Sequence, residues 1–219
     1  MALVTRFANF RSKVQTSINH QNKKMKTLKI KITLLEELLG TASANPEVQR
    51  EYIASKAADA ATIEDEVAAI GVDAAVAKSM TIFPRENGKP ILYDYQFKGF
   101  FKDSCGALWR VPGTLSNKTK AYKKIIDGTM FVQPRKIHFN VNGKIGNCQR
   151  PLRAETAQGP RVALANSETI PAGSSFVVEI VLLDEGLEKL LIEWLDYGKL
   201  RGLGQWRNSG KGRFDWKEV

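Results

Sequence analysis

Residues 28–34 read Leu28-Lys29-Ile30-Lys31-Ile32-Thr33-Leu34, apolar and polar in unbroken alternation. A period of two places every apolar side chain on one face, so the segment predicts a half-buried β-strand. Residues 176–183 are apolar and β-branched, the composition of a central strand. Two other stretches repeat at helical spacing. Phe97, Phe100, Phe101, Cys105 and Leu108 share one face of a helix predicted over about 96–109, with Lys98 and Lys102 outside that face. Leu187, Leu190, Leu191, Trp194 and Leu195 form the stripe of a second helix. The chain closes on a short strand, with Phe214 and Trp216 on one side and Arg213, Asp215 and Lys217 on the other.

Between these elements the punctuation is that of turns. Asn87-Gly88 marks a turn, and Asn142-Gly143 predicts a hairpin after an alternating stretch at 135–141. Residues 150–162 predict a further strand pair around Gln158-Gly159-Pro160. The alanine-rich stretch 47–78 predicts short helices, inserted at about 47–80, and its acids (Glu64, Asp65, Glu66, Asp73) make it a poor nucleic-acid face. Residues 1–26 carry Arg6, Arg11, Lys13, Lys23, Lys24 and Lys26 without one acid. They are expected to be a basic extension, partly disordered, and Met25 offers an alternative start. Residues 27–219 are then a single α+β domain.

Charge narrows the partners. With 33 basic against 23 acidic residues among 219, the formal charge is +10, which favours phosphate-rich ligands or anionic surfaces. No apolar run is long enough to span a bilayer and no signal-like segment opens the chain, so no membrane is expected and cytoplasmic residence is the default. The two cysteines, Cys105 and Cys148, and two histidines, His20 and His138, lie far apart, which argues against a disulfide framework or a metal cluster. No cofactor and no metal are expected.

The segment richest in chemistry is Gly202-Leu203-Gly204-Gln205-Trp206-Arg207-Asn208-Ser209-Gly210-Lys211-Gly212. Two Gly-x-Gly pairs bracket an arginine between the last helix and the last strand. It is neither a Walker loop, since Gln205 and Gly212 stand where that motif needs Gly and Ser or Thr, nor a dinucleotide fingerprint, since Arg207 replaces its third glycine. Glycines let a ligand approach the backbone, and the embedded basic and amide side chains suit an anion. The plainer alternative is a tight turn and nothing more.

Four segments resemble the RAMP superfamily of CRISPR proteins, whose backbone-type members bind the guide RNA. Thr33-Leu34-Leu35-Glu36-Glu37-Leu38-Leu39-Gly40 is similar to the family's first strand and Gly-terminated turn. Residues 93–102, containing Lys98-Gly99, are similar to its Pro-Gly-Ser-Ser-Leu-Lys-Gly helix start, though Tyr93-Asp94-Tyr95 lacks the proline, glycine and serine. Ile170-Pro171-Ala172-Gly173-Ser174-Ser175-Phe176 looks like the entry to the penultimate strand. The segment from Gly202 to Phe214 is the closest match, with Lys211 where an apolar residue is usual. The resemblance implies a ferredoxin-like, RRM-like β-α-β core with inserted helices and hairpins and a C-terminal glycine-rich loop.

It also implies a sequence-tolerant binder of single-stranded nucleic acid, a crRNA-like RNA above all, assembling with copies of itself or with related RAMP subunits. The expected contacts are Gly202, Gly204, Arg207, Asn208, Ser209, Gly210, Lys211 and Gly212, flanked by Arg201 and Arg213 and extended by Lys98 and Lys102 near a helix N-terminus. Trp206 is either a base-stacking ring or a buried cap, and Arg150 and Arg153 are contacts of second rank. Two alternatives remain open. One is a stand-alone phage or mobile-element protein that binds single strands or antagonises a CRISPR complex. The other is an endoribonuclease. RNA-cutting relatives use an aspartate after the first strand, whereas here no aspartate precedes Asp59 and only Glu36, Glu37, Asn45 and Glu47 lie nearby. No catalytic residue is assigned.

Overall fold

The computed structural model describes residues 24–43, 80–156 and 159–219, the side chains of 152–164 excepted. The expected basic extension (save its last residues, 24–26), the helical insertion and the turn residue Gln158 lie outside the described residues, as do Asn45, Glu47 and the Arg153 side chain. In chain order the strands and helices begin with β1 (Lys26–Leu34), β2 (Leu38–Leu39), β3 (Ala42–Ser43), β4 (Met80–Ile82), β5 (Arg85–Glu86) and β6 (Lys89–Tyr93). Three helices follow, α1 (Asp94–Leu108), α2 (Leu115–Lys118) and α3 (Tyr122–Thr129). The remainder is β7 (Met130–Gln133), β8 (Lys136–His138), β9 (Gly146–Thr156), β10 (Gly159–Ile170), β11 (Ser175–Leu182), α4 (Glu188–Arg201) and β12 (Phe214–Glu218).

The principal sheet runs β12-β1-β11-β7, with every neighbouring pair antiparallel. Taken in chain order, its strands and the two long helices read β1-α1-β7-β11-α4-β12. That βαββαβ sequence with the last strand beside the first is a ferredoxin-like arrangement, the core that the resemblance implies. Register follows from the alternation of β1: Leu28, Ile30, Ile32 and Leu34 are all buried, opposite Ile180, Val178, Phe176 and Ser174 or its neighbours across β11. A slip of one residue would expose the whole apolar set. On that buried face α1 lays Phe97, Phe100, Phe101 and Cys105, and α4 lays Leu190, Leu191, Trp194 and Leu195. The α4 stripe begins one turn later than expected, since Leu187 sits in a 3-10 turn before the helix and is half-buried.

Two smaller sheets are built on this frame. One runs β2-β10-β4-β3 with β9 added to β10, and the other runs β5-β6-β8. Asn87-Gly88 forms the expected two-residue turn between β5 and β6, both residues at positive φ. Asn142-Gly143 does not make a hairpin. The strand before it, β8, is only three residues long and pairs with β6, whereas β9 after it pairs with β10. The Asn142 amide instead donates to the Ser174 hydroxyl, so the segment docks on the entry to β11. Among the described residues no helix is long and apolar enough to cross a membrane.

Candidate nucleic-acid interface

The loop joining α4 to β12 has two parts with different roles. Its ends are locked to the protein. The Leu203 amide donates to Gly212 O at 2.8 Å and the Gly212 amide to Glu37 O at 2.8 Å. Gly212 has φ +71°, and a Cβ there would lie 2.1 Å from Leu203 O, so only glycine lets the two ends of the loop close on each other. The amides of Gly202, Ser209 and Gly210 also donate to the protein's own carbonyls. Five amides of the loop are therefore committed internally, and an anion is offered chiefly side chains.

The tip, from Gly204 to Asn208, faces outward. Together with Arg201 it lines a cavity of about 340 Å³. Gly204 and Arg207 also border an adjoining groove of about 280 Å³, whose other wall is the start of α1, with Tyr95, Gln96 and Gly99, and the Thr41 turn. At about 100° per residue Gln96, Gly99 and Asp103 fall on one stripe of α1, and this stripe faces the loop. Gln96 reaches across to the Thr41 hydroxyl at 2.5 Å. Gly99, like Gly128 of α3, has no intramolecular reason to be glycine: a Cβ there would meet nothing within 4 Å. A helix-interior glycine costs about 1 kcal/mol relative to alanine, and here that cost leaves bare backbone on the groove wall.

Charge gathers at the same place. Asp103 accepts from Arg201 Nε at 2.9 Å and from Arg207 Nη1 at 2.6 Å, and Arg201 Nη1 also donates to Asn208 Oδ1 at 2.8 Å. The Asp103 hydrogen bond raises the Arg201 pKa above its ordinary value. Arg150, from β9, enters from the opposite side and is 6% exposed. It donates to Ser167 Oγ at 3.0 Å and to Gln205 Oε1 at 2.8 Å, and its guanidinium carbon lies 5.3 Å from the Trp206 ring centroid. Among the described residues it has no carboxylate partner. Gln205 completes the tie by donating to Gly40 O at 2.9 Å.

The remaining expected contacts point elsewhere. Lys211 binds Glu37 at 2.5 Å, which raises its pKa, and Arg213 binds Glu36 at 3.3 Å and Gly210 O at 3.2 Å. Glu36 and Glu37, in the turn after β1, are thereby held as ion-pair partners of the loop's far end. Lys102 pairs with Asp127 of α3 at 2.6 Å. Lys98 lies over the Phe131 ring, 4.8 Å from its centroid, at the β7 edge. On α1 these two lysines occupy a stripe turned away from Gln96, Gly99 and Asp103, which face the loop. Asn208 and Ser209 are exposed at the tip. Two residues that sequence reasoning passed over, Asp103 and Gln205, organise the arginines, and the spacing of Gln96, Gly99 and Asp103 along one helix face was the available signal. Arg150, placed in the second rank from sequence, is tied to the loop through Gln205 and lies against Trp206.

Trp206 is not a buried cap. It is 38% exposed and adopts the left-handed conformation, φ 54° and ψ 35°. That conformation costs a residue with a Cβ about 1–2 kcal/mol.

No family model and no curated protein matches the sequence. Among solved structures, the chain is similar to one from the type III-B Cmr-beta bound to cognate target RNA, at 12% identity and TM-score 0.48 over 99% of this chain. It spans 65% of the length of that first neighbour. It is similar to a chain of a type IV-B CRISPR complex, at 11% identity and TM-score 0.46, over 89% of this chain and 90% of that one. It is also similar to Cmr6 from Pyrococcus furiosus, at 12% identity and TM-score 0.43, over 87% and 97%. These structural neighbours are CRISPR proteins of the RAMP type.

Proposed function

We propose that this chain binds single-stranded RNA along the groove between α1 and the glycine loop, with little regard to sequence. In this reading it is a RAMP-type subunit that assembles along a guide RNA with copies of itself or related subunits. One observation carries the proposal. Among the described residues, Arg150, Arg201 and Arg207 are tied to the loop against a single carboxylate, Asp103, and three positive charges less one negative leave two in excess. A carboxylate can offset only one guanidinium, so the cluster is an incomplete ion-pair network that a phosphate would complete. The planar donor forks of arginine match two phosphate oxygens at once, and Asp103 holds Arg201 and Arg207 in place before a ligand arrives. The bare backbone at Gly99, where an added Cβ would meet nothing within 4 Å, lets a sugar-phosphate chain lie close against the groove wall.

No base edge needs to be read for this binding, because phosphate contacts position a strand without reporting its sequence. Electrostatic binding of this kind has a measurable signature. If Arg201 and Arg207, the two arginines that border the cavity, neutralise about two phosphates, affinity for an oligoribonucleotide falls roughly sevenfold for a fourfold rise in salt. Titration of a fluorescent oligonucleotide at several salt concentrations measures that slope. A slope near zero, or a preference for duplex over single strand, would sink the proposal. Size-exclusion chromatography with and without RNA tests assembly: RNA-dependent growth into larger species is expected.

A further inference from the structure

We propose that Trp206 is the floor of a pocket for one unpaired nucleobase, built so that only the outer side of its ring is offered. The inference rests on the RNA-binding reading and adds to it a contact that phosphates do not supply.

Three features coincide at this ring. A buried guanidinium backs it: Arg150, locked by Ser167 and Gln205, lies against the indole. Buried arginines ordinarily pair with a carboxylate, and among the described residues the one attractive partner of Arg150 besides neutral oxygens is the electron-rich face of Trp206. The backbone holds the ring in a conformation that residues with a Cβ rarely adopt, and such outliers persist where the surroundings over-determine them and cluster at ligand sites. Finally, the ring is 38% exposed where it borders the cavity of about 340 Å³, a volume within the usual range for small-ligand sites. An indole packed on one side and open on the other is a stacking platform, and bases of any identity stack, which agrees with sequence tolerance. Arg207 and Asn208, from the same tip, put hydrogen-bonding groups at the rim of that cavity. The ring's two sides thus have separate duties, one shielding the Arg150 charge and one left for a base.

The test compares two probes of equal length and charge, oligouridine and an abasic sugar-phosphate oligomer. The wild-type protein is expected to bind oligouridine about tenfold more tightly than the abasic probe. Trp206→Gly suits the left-handed backbone and so keeps the loop. It is expected to abolish that preference while retaining binding of the abasic probe, and Trp206→Phe is expected to keep most of the preference. If Trp206→Gly retains the tenfold preference, the pocket is not at Trp206. If it weakens both probes by the same factor, the ring only shields Arg150 and the inference is overturned, while the phosphate-binding reading stands. If the wild-type protein binds neither probe, both the inference and the RNA-binding reading fail.

Discussion

The glycine loop and the Lys118–Lys124 segment are both basic, yet the fold treats their charges in opposite ways. At the loop, Arg201 and Arg207 are fixed on Asp103, and Arg150 is buried behind Trp206. In the other segment Lys118, Lys120, Lys123 and Lys124 have no ion-pair partner among the described residues, and exposed Trp109 stands beside them. Fixed arginines present donors in a defined geometry and have lost little freedom left to lose on binding. Solvated lysines act as point charges whose attraction is screened over about 10 Å at moderate salt. Two patches of equal sign thus predict different behaviour, the first supplying recognition and the second supplying general attraction.

The largest effect should come from the first region. Replacing Arg201 and Arg207 together by glutamine is expected to weaken oligoribonucleotide binding at least about a hundredfold, at roughly 1.5–3 kcal/mol for each charge-assisted contact. Thermal melting of the variant checks that the loop still docks, because both side chains also brace it against α1. Replacing Lys120, Lys123 and Lys124 by glutamine is expected to cost only a few-fold, equally for all sequences, and to cost nothing at high salt. Should the lysine triple variant lose more affinity than the arginine pair, the assignment of roles is reversed.

Smaller still is the effect of Gly99→Ala, and its two signs are opposed. The helix gains about 0.5–1 kcal/mol of stability, seen as a higher melting temperature, while an added methyl on the groove wall weakens RNA binding a few-fold. A variant both more stable and equally good at binding would mean that nothing approaches this backbone. The smallest effect concerns Lys211, whose pKa its bond to Glu37 raises above the ordinary 10.5. A raised pKa in the folded state means the bond's contribution is complete below about pH 10.5 and is lost as pH climbs through the higher folded value. The melting temperatures of wild type and Lys211→Met should therefore differ by a constant amount through neutral pH and converge only above that point.

How much of this was legible beforehand depended on the range of the signal. The alternation of 28–34 and the stripe at 190–195 are local patterns, set by the geometry of a strand and a helix, and both elements appear where they were expected. Asn142-Gly143 shows where a local signal misleads. The dipeptide turns the chain, but which strands lie on either side is settled by partners distant in sequence. The same holds for the candidate site. Arg201, Arg207 and the glycines can be marked as a cluster in the sequence, whereas Lys98 and Lys102 join them there only through their nearness to a helix N-terminus. The angle of that helix about its axis turns Gln96, Gly99 and Asp103 to the loop instead.

The chain's own order of residues thus determined its α+β class, the first, central and last strands, the two long helices and a basic, glycine-rich connection before the final strand, because hydrophobic periodicity and backbone freedom act over a few neighbouring residues. Only the tertiary structure decided which charges are matched. Asp103 meets Arg207 across 104 positions and Arg150 meets Gln205 across 55. Ion pairs form wherever packing brings groups within a few ångströms, and no local pattern records that distance.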